Sequence, residues 1–565
     1  MKARFLALSL ALAPFAGCNN GNTDFWQPRN NLLPMVALDD HVAFVERNTQ
    51  TAFLLDPADP SLTPRMMAVG KAPVVALKRN ANASNPNNVI PHNQLLVLSM
   101  GDHGSTDIPA VPADLRVIDA NPAVAPGIYP LTGRFDGLAQ SDDGRFLVLY
   151  HSPSGQAQVD SSLYDPNEMV IVDFTTAEGA APLLTGKSIR SLGYVPNTIL
   201  FSPPYVFGGI PRTLAVVLSQ NYITIMDLEH PNNTEISVPL CPTSTNCTLS
   251  PVQILFDPAN QKIYVRASGS MDIFQIALTD VSGAVPPPTA PDNDFVASLS
   301  MLAVGANPAD MVLFGSGVGT RIAAVSADAR RLVIIDPSNS HATIIATSIP
   351  ANQIIRFSVP GNLPTDKPKE RALLVDRLLQ STSVLFADLE QVETTGGLAI
   401  TDYPLPAPAG AVYPLMDAQQ RVAEVVMVSS KFAGNNAAVT VVDLATASVS
   451  AIGAGATQAN PTIETRNPSR LWSVDHGNVL SFLNLMARPS EPRLMTGETP
   501  LDQNITNIVP LSTPSLNGTR YLIVAHNDPD AIGNFTVLDA DHPDRTTART
   551  GYGFLFTDYL KREQP

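Results

Sequence analysis

The sequence predicts an all-β protein built as a propeller of small repeated sheets. Three observations predict it: an apolar run ending in aspartate that recurs along the chain, a hairpin grammar inside each recurrence, and a proline content that leaves little room for helix. The clear copies of the run are Phe53-Leu-Leu-Asp56, Arg116-Val-Ile-Asp119, Val170-Ile-Val-Asp173, Thr224-Ile-Met-Asp227, Val333-Ile-Ile-Asp336, Leu385-Phe-Ala-Asp388, Thr440-Val-Val-Asp443 and Thr536-Val-Leu-Asp539. Most successive aspartates stand 52 to 63 residues apart. Two gaps are about double, and each holds a degenerate copy, Ile273-Phe-Gln-Ile-Ala277 and Leu480-Ser-Phe-Leu-Asn484. Counting these gives ten units with a mean spacing near 54 residues.

Each unit has its own grammar. Upstream of the aspartate run lies a second apolar strand, as in Phe146-Leu-Val-Leu-Tyr150, Ile263-Tyr-Val265 or Tyr521-Leu-Ile-Val524. A turn precedes that strand: Ser141-Asp-Asp-Gly144, Asp257-Pro-Ala-Asn260 or Asn517-Gly518. Gly accepts the positive φ that tight hairpins demand, so Asp-Gly and Asn-Gly between apolar runs are hairpin signals. After the aspartate come a polar turn and a further strand, such as Leu444 to Ile452, and several units open on a glycine with a proline close behind, as in Gly305-Ala-Asn-Pro308. Each unit therefore offers three or four short strands. Such units repeating at roughly 40 to 60 residues signal a β-propeller, in which each sheet packs its faces on its neighbours. The expectation is about eight to ten blades over residues 34–565, in a single ring or two rings.

Composition agrees. The 50 prolines among 565 residues are close to twice the usual share of about 5% and suit turns and strand ends, not helix interiors. The 44% apolar content, spread evenly, is what a large core needs and what disorder lacks. The first unit, His41 to Asp56, has no obvious opening strand, and Tyr552-Gly-Phe-Leu-Phe-Thr557 has no partner in the tenth. Pairing the two is the expected closure, completing one blade from both termini and removing exposed edges.

The pattern of apolar run, aspartate, turn, strand, Gly-x-x-Pro and then Ser141-Asp-Asp-Gly-Arg145 resembles the YVTN/YncE-type and WD40-like repeats of bacterial propellers. The resemblance spans residues 34–560, and only Ser141 to Arg145 lies close to the repeat's usual turn. It implies an architecture and carries no catalytic residue with it.

Residues 1–18 read as a targeting segment. Lys2 and Arg4 precede a 12-residue apolar stretch, Phe5 to Ala16, too short to span a bilayer core of about 30 Å as a helix. The stretch ends at Phe15-Ala16-Gly17-Cys18, which resembles the lipobox of bacterial lipoproteins; Phe15 departs from the usual Leu, Val or Ile. The resemblance implies lipidation, including palmitate, on Cys18, which becomes the mature N-terminus. Asn19, and not Asp, follows the cysteine, which implies sorting to the outer membrane, facing the periplasm or the cell surface. Residues 19–33, rich in Asn and Gly, read as a flexible tether. Of the three cysteines, Cys18 is then acylated, leaving Cys241 and Cys247 to close a small disulfide loop in an oxidising compartment, with two free thiols as the other reading.

The net charge of −16 becomes −18 without Lys2 and Arg4, and no basic stripe exists. Nucleic acid is excluded as a partner on that ground, since nothing here would release its counterions. No HExxH, GxSxG or SxxK occurs, and Gly315-Ser-Gly317-Val-Gly319 lacks the Lys-Ser/Thr of a phosphate loop. The nine histidines form no zinc motif. Two polar loops offer oxygen ligands for Ca²⁺, Asp102-His103 with Asp107 and His526-Asn-Asp528 with Asp530; neither has EF-hand spacing, and ordinary turns use the same residues. The recurring aspartates could form a ligand ring, but Asp at a strand end bonds its own turn backbone, and one per unit fits a turn-forming role.

No resident cofactor or catalytic residue emerges. The functional expectation is a non-enzymatic, envelope-anchored protein that binds a protein or peptide on a propeller face. The alternative is a propeller enzyme of lactonase-like or quinoprotein-like type, with a metal or cofactor in the central channel and residues gathered from several blades.

Overall fold

A computed structural model describes residues 31–552 apart from a set of connecting segments, the longest of them 81–92 and 154–166. Ten four-stranded antiparallel sheets follow one another along the chain and form a ring, a ten-bladed β-propeller. The blades are residues 36–68, 73–130, 137–188, 198–239, 250–303, 310–346, 353–404, 411–454, 459–500 and 505–552. All eight aspartate runs are third strands. Both degenerate copies are third strands as well, Asp272–Asp280 in blade 5 and Val479–Asn484 in blade 9.

Burial explains why the second and third strands lack a polar–apolar alternation. Gln94–Ser99 and Leu214–Ser219 are buried at every position, because a blade within the ring is covered on both faces. Fourth strands alternate half-buried with exposed, as in Arg65–Ala68, and form the outer rim. First strands of neighbouring blades approach one another, for example Asp310–Phe314 and Gln353–Val359, and so surround the axis.

The core is divided among the seams. Leu96, Leu98 and Leu115 of blade 2 pack with Leu147, Leu149 and Val170 of blade 3. Ile273 and Leu302 of blade 5 meet Ile322 and Val333 of blade 6 in the same manner. Each fully buried side chain of this size contributes about 1.5–3 kcal/mol. Alternate residues of one strand serve alternate seams, so a blade has no private core.

Closure differs from the expectation. Blade 1 supplies its own opening strand, Val36–Ala37, paired to Val42–Glu46. Tyr552 ends the fourth strand of blade 10, where it pairs with Asn534; residues 553–557 lie outside the described residues. The ring closes by packing. Val42, Phe44 and Phe53 of blade 1 share a cluster with Ile523, Phe535 and Val537 of blade 10, and the Phe44 and Phe535 rings stand 5.6 Å apart. A strand of two residues gives no readable period, which is why the sequence suggested a missing one.

Blade 4 carries an inserted hairpin, Tyr205–Phe207 with Ile210–Arg212, between its first and second strands. Phe207 stacks on Phe295 of blade 5 at 4.4 Å, and the Tyr205 hydroxyl donates to the Lys262 carbonyl at 2.7 Å. The insertion reinforces one seam.

Phe535→Ala should cost about 3–5 kcal/mol in equilibrium denaturation, since Phe535 is buried in a seam that no strand pairing supplements among the described residues. A cost no larger than that of a surface substitution would mean that blades 1 and 10 are not packed together.

Candidate functional site

Connections between first and second strands, and between third and fourth, emerge on the same face of every antiparallel blade. The recurring aspartates sit there, and most fold their own turn. Oδ1 of Asp56, Asp119, Asp227, Asp336, Asp443 and Asp539 accepts the N–H two residues on, at 2.8, 2.8, 2.9, 2.9, 3.0 and 2.8 Å. Asp388 instead caps the helix α1, Leu389–Thr395, accepting from the Gln391 N–H. Local turn bonds of this kind are the ordinary use of Asp at a strand end. Among the described residues they leave no ring of free carboxylates.

A second pattern on this face was not read from the sequence. A basic side chain near the start of the second strand, or just before or after it, reaches across the seam into the next blade. Arg79 of blade 2 donates to the Gly144 carbonyl of blade 3 at 3.0 Å. Arg145 of blade 3 binds Glu229 of blade 4 through both Nη atoms, at 2.7 and 2.6 Å. Arg212 reaches Asp294 of blade 5 at 2.7 Å, Lys262 the Pro337 carbonyl of blade 6 at 3.2 Å, and Arg321 Glu393 of blade 7 at 3.2 Å. Blades 9 and 10 are tied from both sides, Arg470 to Asp541 at 3.7 Å and Arg520 to Glu464 at 3.1 Å. The signal available in sequence was a basic residue beside most second strands, with Arg79 of blade 2 instead just past its first strand; the partners lie too far along the chain to be guessed.

The turn Ser141-Asp-Asp-Gly-Arg145 closes on itself and ties blade 3 to its neighbours. Ser141 Oγ donates to Asp143 at 2.6 Å and accepts the Phe146 N–H at 2.9 Å, closing the turn. Gly144 sits at φ +66°, and a Cβ there would collide with the Asn80 carbonyl of blade 2. Arg145 leaves the turn over the Phe146 ring at 4.2 Å on its way to Asp173 and Glu229. Partial burial alone would lower the Arg145 pKa, but the hydrogen bonds it donates to the Glu229 and Asp173 carboxylates raise it. Burial pulls the neighbouring Arg79 down to about 10, still charged at neutral pH.

Between blades 7 and 8 the same face opens into a cleft of about 290 Å³. Phe357, Ser358 and Val359 form one wall, and Asp417, Arg421, Val422, Ala423, Glu424, Asp443, Leu444 and Ala445 the other. Arg421 binds Asp417 in a fork, at 3.0 and 2.8 Å. An apolar pocket with a few charged groups at its wall suits the capture of a side chain or small ligand.

Most of the residues singled out in the sequence cannot be placed in the ring. Cys18, His103, Asp107, Asp528, Asp530 and Cys247 lie outside the described residues. Asp102 is held in an ion pair with Lys71. His526 places Nε2 2.7 Å from Thr536 Oγ1 and Nδ1 3.2 Å from the Asn504 carbonyl. Cys241, just past the outer strand of blade 4, is disulfide-bonded. Among the described residues, no three His, Cys, Asp or Glu side chains come together as a metal site would require. No helix among them is long and apolar enough to cross a membrane.

No family model and no curated protein matches the chain. Several solved structures are similar to it in fold. They include the dihydro-haem d1 dehydrogenase NirN in complex with DHE, at 10% identity and a TM-score of 0.38, covering 82% of this chain and 73% of that one. AztD from Citrobacter koseri is similar at 10% identity and a TM-score of 0.31, covering 73% of this chain and 96% of that one. The β-propeller domain of Myceliophteria thermophila Cps50 (Swd1) is similar at 11% identity and a TM-score of 0.25, covering 66% and 99%. Similarity at this level says nothing of function.

The seam between blades 9 and 10 makes a pH prediction. The Arg520 hydrogen bond holds the Asp541 carboxyl below its ordinary value, against the opposing effect of partial burial. A depressed folded-state value means stability that is present above the unfolded carboxyl pKa of about 3.9 and lost as pH falls through the folded value. Asp541→Asn should lower the melting temperature at pH 7 and flatten its fall below about pH 4. An unchanged acid limb would mean that the pair contributes nothing.

Proposed function

We propose that this protein is a non-enzymatic docking protein of the bacterial cell envelope, tethered by a lipid on Cys18 at the outer membrane. Its binding surface is the propeller face that carries the third-strand aspartates. The observation that carries the reading is mechanical: bonds between blades staple that face at most of its seams, while the seam between blades 7 and 8 holds an open cleft. A surface held in one shape pays little ordering entropy when a partner binds, which favours recognition of a protein or peptide. The cleft is the place for an anchoring side chain, because buried anchors in pockets carry most of the energy of such interfaces. Acidic loops and a net charge of −16 favour partners that are not polyanions.

A photo-crosslinking residue at Ser338 or Ala445, both exposed on this face, should yield a discrete protein adduct in intact cells. The same residue at Ile344, exposed on the outer rim, should not, and Cys18→Ala should release the protein from the membrane fraction. Absence of an adduct, together with a stoichiometric metal or chromophore in protein purified without chelator, would overturn the docking reading in favour of a channel enzyme.

A further inference from the structure

In three blades the third-strand aspartate both closes its turn or strand end and receives an arginine of its own blade. Asp336 accepts the Ser338 N–H on Oδ1, while Oδ2 receives Arg321 at 3.2 Å. Asp227 accepts the Glu229 N–H on Oδ1, and its Oδ2 stands 3.8 Å from Arg212 Nε. Asp173 is bound by Arg145 through both oxygens, at 3.3 and 3.4 Å. Each arginine stands at the start of the second strand or within two residues before it, beside the position that pairs with the aspartate.

Blade 8 keeps the turn and reverses the charge. Asp443 Oδ1 accepts from Ala445 N, Thr446 N and Thr446 Oγ1, and among the described residues no bond reaches Oδ2. The residue opposite Asp443 in the antiparallel register is Glu424. Directly paired residues hold their Cβ atoms about 4.5–5.5 Å apart, and like charges so placed repel. Glu424 is only 6% exposed, so water screens that repulsion poorly. The arginine of this blade is committed elsewhere, since Arg421 lies in its fork with Asp417.

Asp417, Glu424 and Asp443 all line the cleft between blades 7 and 8, against the single cation Arg421. Three carboxylates and one guanidinium leave its described lining with a formal charge of −2. The acids do not converge as a metal would require, because among the described residues no three His, Cys, Asp or Glu side chains come together. Spread acceptors suit a planar cation, and a guanidinium presents five N–H donors in a fixed fork. Phe357, Val359, Val422 and Leu444 give the cleft an apolar wall for a methylene stem. Its volume of about 290 Å³ is at the lower limit of ligand pockets and on the scale of one side chain.

We propose that this cleft binds an arginine side chain of a partner peptide, whose guanidinium takes the place that Arg321 and Arg212 hold beside their own aspartates. The proposal rests on the docking reading for the source of that arginine. Asp443 Oδ2 and Glu424 receive the guanidinium, and Phe357 and Leu444 cover its stem.

The test is calorimetric titration of the full-length protein with a capped Ala-Arg-Ala tripeptide, against the same peptide carrying citrulline, a neutral isostere, or lysine in the middle. The arginine peptide should bind at least about tenfold more tightly than the citrulline peptide, and more tightly than the lysine peptide. Asp443→Asn keeps a turn-forming side chain and removes the charge, so it should abolish most of that preference. Ala445→Arg, at an exposed position on the cleft wall, supplies a tethered guanidinium; it should abolish peptide binding and raise the melting temperature. Ala445→Gln, which adds bulk without charge, should not raise it. Citrulline binding as tight as arginine, tighter binding of lysine, or no measurable binding at millimolar arginine peptide would overturn the proposal. Arginine binding that survives Ala445→Arg would reduce it to general attraction by an acidic protein and overturn it too. A partner cross-linked through Ser338 whose capture ignores Ala445→Arg would overturn it while leaving the docking reading intact. Arginine binding that needs Asp443, without any partner adduct, would sustain the site and sink the docking reading instead.

Discussion

A four-stranded sheet that is apolar on both faces cannot cover either face by itself, and every blade of this chain is such a sheet. Second strands such as Gln94–Ser99 and Leu214–Ser219 are buried from end to end, and alternate residues of Gln94–Ser99 are committed to the seam before and the seam after. Stability is therefore a property of neighbours. At about 25 cal/mol per Å² of apolar surface removed from water, the seams outweigh anything a single blade could gain alone. The same constraint requires the first and last blades to meet, since an open end would expose one face of each. Phe44 and Phe535 supply that meeting.

The ion pairs work on top of this packing. Half-buried arginine–carboxylate contacts are modest sources of stability, because desolvation offsets much of their attraction. Their better-supported contribution here is geometric: each fixes where one blade's turn stands relative to the next, on the face that carries the third-strand aspartates. Packing sets the ring, and charge sets the face. The seam between blades 7 and 8 keeps the packing, through Phe357, Phe386 and Val425, yet departs from the charge pattern.

Much of the fold was legible in the sequence because a propeller repeats its burial pattern. The third strand of each blade shows as an apolar run with a turn-forming aspartate, and even Ile273 to Ala277 and Leu480 to Asn484 keep the spacing without it. Closure was illegible because Val36–Ala37 is too short to carry a period, while Tyr552 begins an apolar run in sequence and ends a rim strand in space. The seam pairs were hidden for another reason. Arg145 and Glu229 lie 84 positions apart, and a surface arginine looks the same in sequence whether or not it is stapled. The cleft was harder still, since its walls, with Phe357, Arg421 and Ala445 among them, come from separate stretches that meet only in the folded ring.

Native-state hydrogen exchange, resolved by peptide, tests the dependence on a closed ring most directly. The account predicts equal, globally limited protection for the second strands of blade 1, Val42–Glu46, blade 5, Lys262–Ser268, and blade 10, Tyr521–His526. Protection that is high in blade 5 and decays towards both terminal blades would describe an open stack of sheets and would contradict it.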